Sequence, residues 1–356
     1  MQKFFKKVLI NKALGLKLMA ACLPLQILGL WIISCFPNIV EAWYSLKIYP
    51  LISRFHEWSF GLLPFSFGDF IYTGLTLYVL GFMIVRFKNK VFFRLKTFWT
   101  ILASISVALA YFQLSWGLNY YRSKLSDTLS VNPKYSKNQL FETLDFFIEN
   151  TNELHKTLVQ HDRVLVDFSI YSSKENFASL NKTLNALYAQ HHFDFLPKPA
   201  YFSVVKSSIY QVSMQYTGVS GFFNPITHET HYNRDILFYK LPVLLLHEKA
   251  HKAGFAAENE ANFVGISLGL ASEDAYVQYS ASAFALRYLL GNVYRNFPDD
   301  YEDFYCKIRP GVLKNYQELN EYWKAFEGPI EKQWEKVYDS YLKANNQSKG
   351  IESYSY

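Results

Sequence analysis

Three long stretches near the start of the chain are almost wholly apolar. They run over residues 16–36, 67–85 and 98–116. Each is about the 20 residues that a helix needs to cross the hydrocarbon of a bilayer. The first is longer than a signal-peptide core and lacks a small-x-small exit, so the pattern predicts a retained span. The short apolar piece 60–65 is interrupted by Pro64 and followed by Gly68, and it reads as interfacial.

The pattern changes after Gly117. Leu140, Leu144, Phe147 and Ile148 recur at helical spacing within 135–161, and Phe177, Leu180, Leu184 and Leu187 do so within 172–190. Pro197 and Pro199 mark a break. Residues 201–224 alternate, with Gly218 and Gly221 as punctuation, and predict strands. Asn224-Pro225 is a turn signal, and Thr227 to Asn233 predicts a further strand. Such a strand can take an extended peptide on a free edge. Helices are expected before and after Gly254, over Glu258–Leu270 and 273–293, and again from Pro298 to about Lys343. The polar residues 345–356 read as a flexible tail. The fold class is α+β and mainly helical: an anchor of three transmembrane helices over 1–117, then a domain over 118–344.

Charge sets the expected topology. The net charge of +6 is concentrated beside the apolar runs. Lys3, Lys6, Lys7, Lys12 and Lys17 lead into the first run, and Arg86, Lys88, Lys90, Arg94 and Lys96 join the second to the third. Only Lys47 and Arg54 lie between the first and second. The positive-inside rule puts the N-terminus and the 86–96 loop in the cytoplasm and everything after Gly117 outside. The expected partner is the lipid bilayer, with no nucleic acid. Cys22, Cys35 and Cys306 offer neither a disulfide framework nor a thiolate zinc site.

The candidate chemistry lies in His247-Glu248-Lys249-Ala250-His251. This is H-E-x-x-H, and four residues on a helix bring both imidazoles to one face, where they can hold a divalent ion, zinc first. Glu248 beside them can take a proton from an activated water. Pro242 suits the first turn of this helix and Gly254 its end. A third ligand is needed, and Glu258 and Glu260 both arrive just after the turn. Asn262 shares a helix face with Glu258 and is placed to orient a ligand. His228, His231, Tyr276 and Tyr279 are candidate transition-state stabilisers, although a solvated strand face and core aromatics account for them too. His191 and His192 suit a helix C-terminus. His56 and Glu57 fit an interfacial loop.

The motif and its sequel resemble the gluzincin pattern of zinc peptidases, in which a Glu and then an Asp one turn later follow H-E-x-x-H. The resemblance implies one zinc ion held by His247, His251 and Glu258, with Glu248 as general base and Asn262 behind the ligands. Asn stands at 262 where the pattern has Asp, and the gap from His251 to Glu258 is short. That gap is nearer metzincin spacing, but Ala257 stands where a metzincin carries its third histidine. The Glu-Ala-Asn run also resembles peptidases that cleave phage and stress-response repressors, which keeps Glu260 as an alternative ligand. The whole chain resembles a bacterial membrane-protein family of unknown function, through Trp116 to Arg122, Gly218 to Phe222 and the motif itself. That resemblance implies a three-span anchor with a zincin-like domain, which the charge pattern places outside the cytoplasmic (inner) membrane, in the periplasm or its equivalent. The expected activity is a membrane-anchored zinc metallopeptidase, a hydrolase acting on a peptide or protein substrate. The alternatives are a non-catalytic metal-binding envelope protein and a zinc amidase acting on cell-wall peptides.

Overall fold

The computed structural model describes every residue except 1, 133, 191–192, 194, 197–203 and 356. The predicted His191–His192 helix end and the Pro197–Pro199 break lie outside the described residues. Three helices are long and apolar enough to cross a membrane: Ala13–Ile33, Phe67–Lys88 and Leu95–Ser115. The first stops short of the expected Phe36. Residues 34–36 form a turn, and Pro37 opens a new helical segment because its missing N–H costs nothing there. The side chains of the three helices are largely exposed, as lipid-facing helices are. The first and third pack together, and Gln26 Nε2 donates to Ser106 Oγ across that contact at 3.0 Å.

Between the first and second apolar helices the chain stays helical, through Val40–Ile48, Tyr49–His56 and Glu57–Gly61. The rest is mainly helical, as expected. The core gathers Leu140, Leu144 and Ile148 of helix Lys137–Leu158 against Val277, Ala281 and Phe284 of the long helix Ala275–Asn296. The motif helix Leu241–Lys252 is sunk in this core, and all of its residues are buried. Each leucine of Leu244–Leu246 that is removed from water contributes about 1.5–3 kcal/mol. That burial makes the helix a rigid support.

The sheet is small. Strands β1 (Lys206–Ser207), β2 (Gly221–Phe223) and β3 (Thr230–Tyr232) stand in the order β1-β3-β2. β3 pairs parallel with β1 and antiparallel with β2. Two expectations change here. The alternating stretch 201–224 is not all strand, for Gln211–Tyr216 is a helix that buries Gln211 and Met214, three residues apart. β3 is not a free edge either. It is paired on both sides, so the strand with an open flank near the motif helix is β2. The C-terminal residues carry a short 3-10 helix, Gly350–Ser355, which packs on helix Pro329–Ala344.

Candidate metal centre

Gly254 makes the local geometry of the motif possible. Its φ of 97° turns the chain sharply after the motif helix, a conformation that L side chains rarely adopt. The turn carries the Phe255 carbonyl back to 2.7 Å from His251 Nδ1. A carbonyl can only accept, so the neutral ring keeps its proton on Nδ1 and leaves Nε2 free for another partner. Helix Glu258–Leu270 then runs back against the motif helix. Gly265 permits the close approach, because a Cβ there would stand 3.1 Å from the His247 backbone nitrogen.

The approach brings Glu258 to both histidines. Its Oε2 lies 3.3 Å from His247 Nε2 and 3.3 Å from His251 Nε2. One ligand atom from each of the three residues falls within 4.8 Å of the others, and all three residues are buried. Ligands at 2.0–2.1 Å from a tetrahedral ion would be about 3.3–3.4 Å apart, so the spacing fits a small divalent metal. Beyond those two imidazole nitrogens Glu258 Oε2 has no hydrogen-bond partner among the described residues, and His247 Nδ1 has none. A buried carboxylate needs a positive charge beside it, which a protonated His251 or a bound cation can supply. Glu260 points elsewhere and accepts the Leu125 backbone N–H at 2.7 Å.

Electrostatics follow the same grouping. Burial works against a charge on His251, but the Glu258 carboxylate outweighs it and lifts the ring to about 9. Burial raises Glu258, but the two histidines outweigh it and hold the carboxyl below the ordinary range. His247 is shifted down, chiefly by burial. Glu248 is raised to about 8 by burial, with a smaller push from Glu258. Its Oε2 is unpaired, and its side chain lies against β2, where a Cβ on Gly221 would stand 2.7 Å from Glu248 Oε1.

Further residues complete the surroundings. The Tyr338 hydroxyl donates to Glu258 Oε1 at 2.6 Å. Lys240 sits within electrostatic reach of Glu248 and Glu258, and burial followed by the nearby Arg287 lowers it to about 8. Trp116, next after the third apolar helix, donates its indole N–H to the His251 carbonyl at 3.1 Å. Arg122 donates to the Gly254 carbonyl at 3.0 Å and holds Glu41 with two bonds of 2.6 Å. The run Trp116 to Arg122 thus braces the turn that aligns the ligands. None of this is visible in spacing alone, since Tyr338 and Lys240 have no motif around them.

The weaker candidates do not join the group. Asn262 is buried beside Tyr288 and gives no hydrogen bond to His247 Nδ1. The Tyr279 hydroxyl donates to Asn315 Oδ1 at 2.8 Å, and Tyr276 packs on Phe168 and Tyr171. His228 and His231 are not on a solvated strand face. Both are buried, because the ends of the second and third apolar helices pack over that face. His228 Nε2 pairs with Ser115 Oγ at 2.9 Å and His231 Nε2 with Ser66 Oγ at 2.7 Å.

Residues 44–356 match the family described as "Protein of unknown function (DUF3810)". The match spans most of the 356 residues, and the chain belongs to that family. It takes in the second and third apolar helices together with the metal group. No curated protein and no solved structure matches the chain.

Proposed function

We propose that this member of the family is a membrane-anchored zinc metallopeptidase whose site lies outside the cytoplasm. One observation carries the reading: two imidazole Nε2 atoms meet one buried oxygen of Glu258, beside a Glu248 carboxyl that lies outside the group. His247, His251 and Glu258 would hold the ion. Zinc, when bound there, supplies Lewis acidity and brings the pKa of water toward neutrality.

The chain's own residues would do the rest. Glu248 is not in the ligand group, so its carboxylate is free to take the proton of the attacking water. It then delivers that proton to the leaving amine. A carboxyl group can take a proton and return it in this way. β2 has an open flank, and Gly221 leaves no side chain between that strand and Glu248. An extended peptide pairing with β2 would bring its carbonyl up to Glu248. Glu258 belongs to the site in preference to Glu260, whose carboxylate is occupied by the Leu125 amide. The basic loop 86–96 supports the orientation.

Glu248→Gln tests the reading in purified full-length protein. The variant is expected to retain one zinc per chain and lose at least about 100-fold in peptide hydrolysis, within the range of general-base catalysis. Unchanged hydrolysis would remove Glu248 from the base role. Hydrolysis that survives both a chelator and His251→Ala would end the zinc reading.

A further inference from the structure

The segment between the first and second apolar helices is unusual in what it exposes. Its buried face is mixed: Ser45, Ser53 and His56 point into the protein beside Val40, Tyr44 and Tyr49. Its exposed face carries Trp43, Leu51, Phe55, Trp58 and Leu62, with Trp58 75% and Leu62 86% exposed. A helix facing water exposes a polar face instead. So much contiguous apolar surface in water marks a contact site.

The direction of the segment follows from its bonds to the third apolar helix. The Tyr44 hydroxyl donates to the Leu114 carbonyl at 2.9 Å, and His56 Nε2 meets the Tyr111 hydroxyl at 3.1 Å. Tyr44 and His56 are separated by up to about 18 Å of helix, whereas their partners are only about 4.5 Å apart along the apolar helix. The segment therefore crosses that helix and does not run alongside it. The crossing point lies within about one turn of the helix end at Ser115. At both ends the segment passes into apolar helices, at Ile33 and at Phe67.

We propose that residues 37–65 form a lipid-binding platform, lying in the plane of the bilayer on the side of the metal centre. Its exposed face would sit at the boundary of headgroups and acyl chains. Trp43 and Trp58 suit that depth, and Lys47 and Arg54 can reach the headgroups. The platform also fixes the metal centre. The Tyr49 hydroxyl donates to the Lys252 carbonyl at 2.8 Å, and Glu57 forms an ion pair with Lys252, one residue beyond His251. The occupant is lipid because the face continues directly into two helices of membrane-spanning length. Nothing in the proposal depends on hydrolysis.

The test is the depth of nitroxide labels in full-length protein in phospholipid nanodiscs. Cys22, Cys35 and Cys306 are first replaced by Ser. Single cysteines are then placed at Trp43, Leu51, Trp58 and Leu62, with Glu153→Cys as the water-facing reference. All four side chains are exposed, and replacing Trp43 also removes its contact with the Lys47 ammonium, which sits 3.9 Å from the ring centroid. Collisions with oxygen should dominate over those with a nickel chelate at all four, at one shared shallow depth of roughly 5–10 Å. Three outcomes overturn the platform. Nickel access at all four matching Glu153→Cys would put the face in water. Depth rising steadily from 43 to 62 would make the segment a fourth span. Exclusion of both reagents would mean that protein, not lipid, covers the face.

Discussion

Tyr338→Phe isolates what a single hydroxyl contributes to the metal group. The substitution keeps the ring and removes only the donor 2.6 Å from Glu258 Oε1. A hydrogen bond to a charged group contributes about 1.5–3 kcal/mol. Once the hydroxyl is gone, the carboxylate is no longer held with Oε2 between the two imidazoles and must be ordered when the ion binds. A partner that orients a ligand in this way typically contributes 10–100-fold in metal affinity. The two figures agree, so zinc affinity should fall by about 10–100-fold. Competition against a fluorescent chelator at pH 7, in detergent, measures it. The melting temperature of the metal-free variant is the control, and it should change little because the tyrosine is only half-buried. An affinity within about twofold of wild type, with an intact fold, would refute the reasoning and leave Glu258 oriented by its own helix.

Other outcomes follow from the same geometry. Zinc affinity should rise with pH, by up to tenfold per unit until about pH 9, because the ion must displace the proton that Glu258 holds on His251; a flat profile from pH 6 to 9 would contradict the assigned proton. The metal-free protein should show the matching stability change. The His251 contribution is complete below about pH 6.5 and is lost as pH rises through 9, which thermal melts across that window would record. Gly221→Ala should abolish activity or destabilise the protein, since the added carbon would stand 2.7 Å from Glu248 Oε1 and 2.9 Å from the His231 carbonyl oxygen; wild-type rates would show that β2 can move away. Glu229→Ala strips the buried Lys206 ammonium and the Phe67 and Gly68 amides of their acceptor, and should cost about 3–5 kcal/mol in detergent unfolding.

The legible parts of this chain are those written in local pattern. The three apolar helices are visible because membrane length leaves a continuous run, and the boundaries moved only where Pro37 and the turn before it intervene. The histidines are visible because helical periodicity alone puts residues 247 and 251 on one face. Glu258 was one of two adjacent choices, and the separation came from Leu125, whose amide takes up Glu260. Tyr338 was not legible. It reaches the site across 80 residues of sequence, from a helix with an ordinary amphipathic pattern. His228 and His231 were misread for a related reason. Polar residues beside a short strand look solvated until another part of the chain is known to cover them, and here the ends of the second and third apolar helices do so. The stretch 201–224 alternates in sequence, but burial in it follows helix spacing at Gln211 and Met214.

The polar joint between the apolar helices and the later part of the chain has a consequence for the order of synthesis. Gly68, Ser66 and Glu57 find their partners Glu229, His231 and Lys252 161, 165 and 195 residues later in the chain. At about 5–20 residues per second, the ribosome takes roughly 8–40 s to deliver those partners. For that interval Glu57, Phe67 and Gly68 lack these later partners. The domain then folds against a template that is already in place. A fragment beginning after Ser115 would keep the Lys206–Glu229 ion pair, but Lys206 would lose the Phe60 and Phe65 carbonyls, Glu229 the Phe67 and Gly68 amides, and Lys252 the Glu57 carboxylate.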